Sequence, residues 1–121
     1  MKLLLDTHAF IWLDSNPSRL SEQVRLLLQD SNNTLLLSAV SIWEMQIKTQ
    51  MGKLQLSLPL AEVVETQQQA NMIEILPVSL SHVLALEHLP FHHKDPFDRL
   101  LIAQANIENA TLVSQDAILA S

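Results

Sequence analysis

The sequence predicts an α/β domain of three layers, a central parallel sheet with helices on both faces. Two observations carry this. Short apolar runs are consecutive rather than alternating, as in Leu3-Leu4-Leu5 and Leu35-Leu36-Leu37. They leave no face for water, which suits strands covered on both sides. Between the runs lie segments with helical start and stop signals, so strands alternate with helices and the sheet is expected to be parallel. A third observation concerns function: the first run stops at Asp6 and the last is followed by Asp116. In open α/β sheets the carboxyl edge of the strands carries the ligands.

Composition bounds the rest. A chain of 121 residues is expected to be a single domain, burying roughly two-thirds of its unfolded surface. The absence of Cys removes disulfides and thiolate metal sites and fits a reducing compartment. No apolar run approaches the ~20 residues needed to span a bilayer, and the N-terminal run is too short for a signal peptide. A cytoplasmic protein with no membrane partner is therefore expected. The formal net charge of −6 argues against nucleic-acid binding by bulk charge. It leaves room for phosphate binding through metal ions held by acids.

Taken in order, residues 3–5 form the first strand, and residues 7–13 a short apolar helix. Ser21 caps a helix running to about Gln29, with Val24, Leu27 and Leu28 in one stripe. Residues 34–38 form the second strand. Ser41-Ile42-Trp43-Glu44 matches a capping box and opens the next helix. That helix ends at Gly52, the only glycine, where a left-handed residue is usual. Pro59 suits the first turn of a helix over residues 60–70. Residues 73–76 form a short strand closed by Pro77. Ser79 or Ser81 caps a further helix, which ends at Leu89-Pro90. Asp95-Pro96 combines an Asp cap with Pro at the first helical position, and that helix runs to about Glu108. Residues 111–114 form a fourth strand.

The acids coincide with the strand ends. Asp6 and Asp116 follow buried strands, Glu44 is expected in the first turn after the second strand, and Asp95 and Asp98 begin the helix leading into the last. If the first and last strands are neighbours, these groups meet in one cleft. Like charges ~4 Å apart repel by about 4 kcal/mol at an effective dielectric near 20, and a divalent cation reverses that sign. Oxygen ligands without Cys favour Mg²⁺ or Mn²⁺. Such ions activate water and stabilise charge on a phosphoryl oxygen, which points to hydrolysis of a phosphodiester.

Four segments carry a resemblance: Leu3-Leu4-Leu5-Asp6-Thr7-His8, Ser38-Ala39-Val40-Ser41-Ile42-Trp43-Glu44, the run His93-Lys94-Asp95-Pro96-Phe97-Asp98-Arg99 continuing to Ala105, and Leu112-Val113-Ser114-Gln115-Asp116. Together they resemble PIN-domain ribonucleases, and more narrowly the toxin nucleases of VapBC-type toxin–antitoxin pairs. The His-Lys-Asp-Pro-Phe-Asp-Arg run is the most specific piece. The resemblance implies a single PIN-like domain over residues 1–121 and a Mg²⁺- or Mn²⁺-dependent endoribonuclease. It further implies restraint by a cognate antitoxin and assembly as a homodimer. It carries the catalytic and metal-binding roles to Asp6, Glu44, Asp98 and Asp116. Asp95, Ser114, Arg99 and Lys48 are candidates for supporting the acids or touching substrate. The family continues past Asp116 with a final strand, which this sequence is expected to lack.

Each acid also has a plain structural role open to it. Asp6 and Asp95 fit helix caps, Glu44 fits a capping box and an ion pair with Lys48 four residues on, and Asp98 gains from a helix dipole. Their joint placement at one edge favours a site. His8, His92 and His93 are weak candidates. Two functions compete with RNA cleavage: a PIN-like module without activity, and a nuclease acting on DNA, since a metal site alone does not read the 2′-hydroxyl. An antitoxin surface is expected over residues 10–13 and around Trp43 and Met51, with burial of those side chains in the core as the alternative.

Overall fold

The computed structural model describes residues 1–90, 95–115 and 118–119. The chain runs β1 (Lys2–Leu5), α1 (Thr7–Ser15), α2 (Glu22–Gln29), β2 (Thr34–Ser38), α3 (Ala39–Gln50), α4 (Leu60–Ala70), β3 (Glu74–Leu76), α5 (Leu80–Ala85), α6 (Pro96–Glu108), β4 (Thr111–Val113) and β5 (Ile118–Leu119). Two short 3₁₀ turns, Pro17–Arg19 and Leu86–His88, complete the described elements.

The strands lie in the order β3-β2-β1-β4-β5. β1 is central and pairs in parallel with both β2 (Leu3 to Leu35) and β4 (Leu5 to Val113). The chain steps outward from β1 to β2 to β3, then crosses to the other side for β4. The switch point therefore falls between β1 and β4, where the crevice of such sheets opens. The final strand that the sequence was expected to lack is present in short form: β5 pairs antiparallel with β4. Its residues lie in the short stretch Ala117-Ile118-Leu119-Ala120, which carries no strand boundary signal of its own.

Side chains alternate across the sheet and fill a core on each face. Leu3, Leu5, Leu35, Leu37 and Val113 pack with Ala9 and Phe10 of α1, Val24 of α2, Met45 of α3 and Val63 of α4. Leu4, Leu36 and Leu112 pack on the other face with Leu101 and Ala105 of α6. Leu3, Leu4 and Leu5 are all fully buried, each contributing about 1.5–3 kcal/mol by burial. This is the three-layer arrangement that the consecutive leucines imply.

Helix ends follow local chemistry. Ser21 caps α2 by accepting from the Val24 N–H at 3.2 Å. Beyond α3, Gly52 adopts φ +74°, and its N–H donates to Thr49 O while that of Lys53 donates to Lys48 O. This is a Schellman ending, for which glycine's positive φ is required. Other boundaries differ from expectation. α1 runs on to Ser15, and Pro59 is the N-cap of α4 rather than part of its first turn. α3 begins at Ala39 with Ser38 as its cap, the Oγ accepting from Val40 N–H at 3.0 Å. The Ser41–Glu44 capping box is therefore not formed, and Glu44 lies in the second turn. The cause is that β2 passes directly into α3, so the last strand residue meets the free N–H groups first. No described helix is long and apolar enough to cross a membrane.

Candidate active site

β1 delivers Asp6 to the carboxyl edge of the sheet. Its Oδ1 accepts from the Ala9 N–H at 2.7 Å and so caps α1. Burial pushes the Asp6 carboxyl above its ordinary range; the Ala9 N–H and His8 pull it back, and the negative charges of Asp98 and Glu44 push it up again. The charges of two other acids predicted from sequence, Asp98 and Glu44, thus reach Asp6. Their meeting follows from topology, because α3 and α6 both start at the edge where β1 ends.

Glu44 is buried and held on both oxygens. Its Oε1 accepts from the Thr7 hydroxyl at 2.8 Å, and its Oε2 pairs with Lys48 Nζ at 2.8 Å. Thr7 Oγ1 also lies 3.0 Å from Ser41 Oγ, and both hydroxyl residues are buried. Neither Thr7 nor Ser41 is identified as a site residue by sequence. The available signal for Thr7 is its place directly after Asp6; Ser41 was masked by its fit to a capping box. The expected Glu44–Lys48 ion pair is present.

At the start of α6, Asp95 is exposed and accepts from the Phe97 and Asp98 N–H groups at 2.8 and 3.3 Å. It is the N-cap that Asp-Pro predicts. Asp98 is exposed in the first turn, where the helix dipole favours a carboxylate. Arg99 donates to the backbone oxygens of Pro90 at 2.9 Å and Leu86 at 3.2 Å, which ties α6 to the turn before it. Ser114 is half-buried at the end of β4. Asp116, His92, His93 and Lys94 lie outside the described residues. Among the described residues, no three acidic or imidazole groups stand close enough to hold a metal ion together.

The apolar residues expected at a partner surface divide. Phe10 and Ile11 belong to the core. Trp12 is half-buried; its Nε1 donates to Gln115 Oε1 at 2.6 Å, and the Arg19 guanidinium lies 4.2 Å above its ring. Leu13 packs partly against the core. Trp43 and Met51 are 57% and 59% exposed, with Trp43 edge-on to Phe97 at 5.1 Å between ring centres.

The strand order switches between β1 and β4, and Asp6 stands at that switch point, where open α/β sheets form their ligand crevice. Comparison with known proteins narrows the class: the PIN-domain family model matches residues 3–121, and this chain belongs to the PIN-domain family. It is 28% identical over 120 residues to Ribonuclease VapC22 of Mycobacterium tuberculosis (strain ATCC 25618 / H37Rv), covering 98% of this chain and 90% of that protein. Its fold is similar to that of VapBC2 from Rickettsia felis, solved bound to a DNA fragment from their promoter. The TM-score is 0.67 at 21% identity, over 93% of this chain and 86% of that one. VapBC-1 from nontypeable Haemophilus influenzae gives a TM-score of 0.60 at 21% identity, over 93% and 84% of the two chains.

Proposed function

We propose that this protein is a divalent-metal-dependent endoribonuclease that hydrolyses RNA phosphodiester bonds, acting as the toxin of a toxin–antitoxin pair. The observation that carries the proposal is the PIN-family match over residues 3–121 of a chain whose Asp6 ends the central strand at the switch point, with buried Glu44 bound to the next residue, Thr7. The ribonuclease named among its relatives supports RNA as substrate. The VapBC pairs among its structural neighbours support an antitoxin partner.

The donor set suits a hard cation in kind. It is oxygen-only; burial first, and the charges of Asp98 and Glu44 after it, disfavour the ionised Asp6 carboxylate, and a bound cation would favour it. Asp6, Glu44, Asp98 and Asp116 would hold the ion, the acids to which the PIN-family resemblance carries that role. Once bound, it would lower the pKa of a water and stabilise charge on a phosphoryl oxygen. The chain's own groups prepare the edge. The Ala9 N–H fixes one Asp6 oxygen, and the α6 dipole favours the Asp98 carboxylate. Lys48 balances the Glu44 charge.

Purified protein incubated with a mixed RNA pool and a matching single-stranded DNA pool, with Mg²⁺ or EDTA, tests this. Cuts in RNA alone, lost with EDTA, are expected; an intact RNA pool with metal present, or cuts that persist in EDTA, would overturn it. The partner is proposed to be a cationic antitoxin meeting the net charge of −6, with Trp43 and Met51 in its footprint and the toxin assembled as a homodimer. Co-expression with an adjacent reading frame should give a stable complex that restores growth. Robust growth on expressing an active nuclease alone would refute the toxin role.

A further inference from the structure

We infer that Thr7 is a positioning residue that sets the Glu44 carboxylate relative to Asp6, so that its hydroxyl governs metal affinity and turnover at this edge. The inference rests on the nuclease proposal and deepens it. Because Asp6 caps α1, the next residue becomes the first of the helix. Thr7 is thereby directed at α3, where its Oγ1 meets Glu44 Oε1 at 2.8 Å and Ser41 Oγ at 3.0 Å. A hydroxyl has one proton. The Thr7 hydroxyl faces two acceptors on α3, the shorter contact being to the ion-paired Glu44 carboxylate and the longer to Ser41 Oγ. Thr7 is thereby held against α3 at two points, and Glu44 is held in turn by Lys48.

This arrangement has little freedom. Thr7 and Ser41 are 3% and 0% exposed, and Glu44 is 8% exposed. Water therefore does not readily replace a missing hydroxyl, and a buried acceptor left without its donor is costly. Threonine is stiff about χ1. Asp6 and Thr7 are consecutive at the end of β1, so the hydroxyl ties the α3 acid to the same backbone step that carries the β1 acid. A group that only closed α1 onto α3 would affect folding without acting through Glu44.

A double-mutant cycle separates the two. Thr7→Val, Thr7→Ser, Glu44→Gln and Thr7→Val/Glu44→Gln are compared by kcat and KM on one RNA, and by the Mn²⁺ concentration at half-maximal rise in melting temperature. Thr7→Val should lower kcat and weaken the Mn²⁺ midpoint by about ten- to a hundredfold, with KM little changed. Thr7→Ser should restore both. In the Glu44→Gln background the added loss should nearly vanish, because the two residues act as a unit. Equal losses in both backgrounds, or unchanged kcat and Mn²⁺ midpoint in Thr7→Val, would overturn the assignment. If Thr7→Val does not fold, Ser41→Ala in the same two backgrounds makes the same test, since it removes the second α3 oxygen that the Thr7 hydroxyl faces. A wild type that binds Mn²⁺ but cuts no RNA would refute the nuclease proposal and leave Thr7 to be judged by the Mn²⁺ midpoints. A wild type with neither response overturns both.

Discussion

Asp6 combines two effects that oppose each other in stability. As a cap it satisfies the Ala9 N–H; as a partly buried acid beside Asp98 and Glu44 it resists ionisation. Asn caps a helix about as well as Asp, so Asp6→Asn keeps the first effect and removes the second. A carboxyl whose folded pKa is raised binds its proton more tightly in the folded state, and stability falls as pH rises through the raised range. Without metal, Asp6→Asn should therefore melt above wild type at neutral pH. The gap should open as pH rises from the ordinary Asp value of 3.8 and level off once Asp6 is ionised. A gap that closes with rising pH would contradict the burial of this charge. The same variant should lose cleavage. Asp98→Asn, at an exposed position, should lose it too while melting within a few degrees of wild type, as surface substitutions generally do. Near-native rates in either folded variant would remove that residue from the site.

α3 shows how one element is aligned by its two ends. Its start is set by Ser38, buried at the end of β2, and Ser38→Ala should cost about 1 kcal/mol through the lost cap. Its end is set by Gly52, where an added Cβ would meet nothing within 4 Å. Gly52→Ala should still cost about 1–2 kcal/mol, because the strain lies in the backbone at φ +74° and not in packing. Denaturant melts of the two variants check both values. A neutral Gly52→Ala would mean that the helix end tolerates another conformation. These ends matter for function because they hold Glu44 in the second turn, facing Thr7.

Asp6, with the charges of Asp98 and Glu44 reaching it, stands at one edge of a sheet that packs an apolar core on each face. That arrangement stores repulsion which a cation would relieve. A ligand that binds only the folded state stabilises it by about 2.7 kcal/mol at a hundredfold excess over Kd. Millimolar Mg²⁺ or Mn²⁺ should therefore raise the melting temperature, and EDTA should reverse the rise. Asp98→Asn should blunt it. A melting temperature indifferent to both ions would count against a shared metal site.

Much of this protein was legible along the chain because the signals are local. Consecutive leucines mark strands buried on both faces, Ser21 and Asp95-Pro96 mark helix starts, and Gly52 marks a helix end. Each is encoded within a few residues by hydrogen bonding or backbone freedom. Even there, proximity misled once: Ser41 and Glu44 have capping-box spacing, yet Ser38 is the cap because β2 enters α3 without a loop. The acids could be placed at strand ends from sequence. That the charges of Glu44 and Asp98 reach Asp6 depends on β1 lying beside β4 and on α3 and α6 starting at the same edge. Hydrophobicity alone did not distinguish Phe10, which is buried, from Trp43, which is exposed; the helix face decided. The Thr7–Ser41–Glu44 contacts join residues 34 and 37 positions apart. His82 likewise completes the capping box of Ser79 at the start of α5 while meeting Glu108 at 2.8 Å. Such contacts leave no periodic trace, because a side chain's partner across the fold is chosen by how the layers pack and not by its neighbours in sequence.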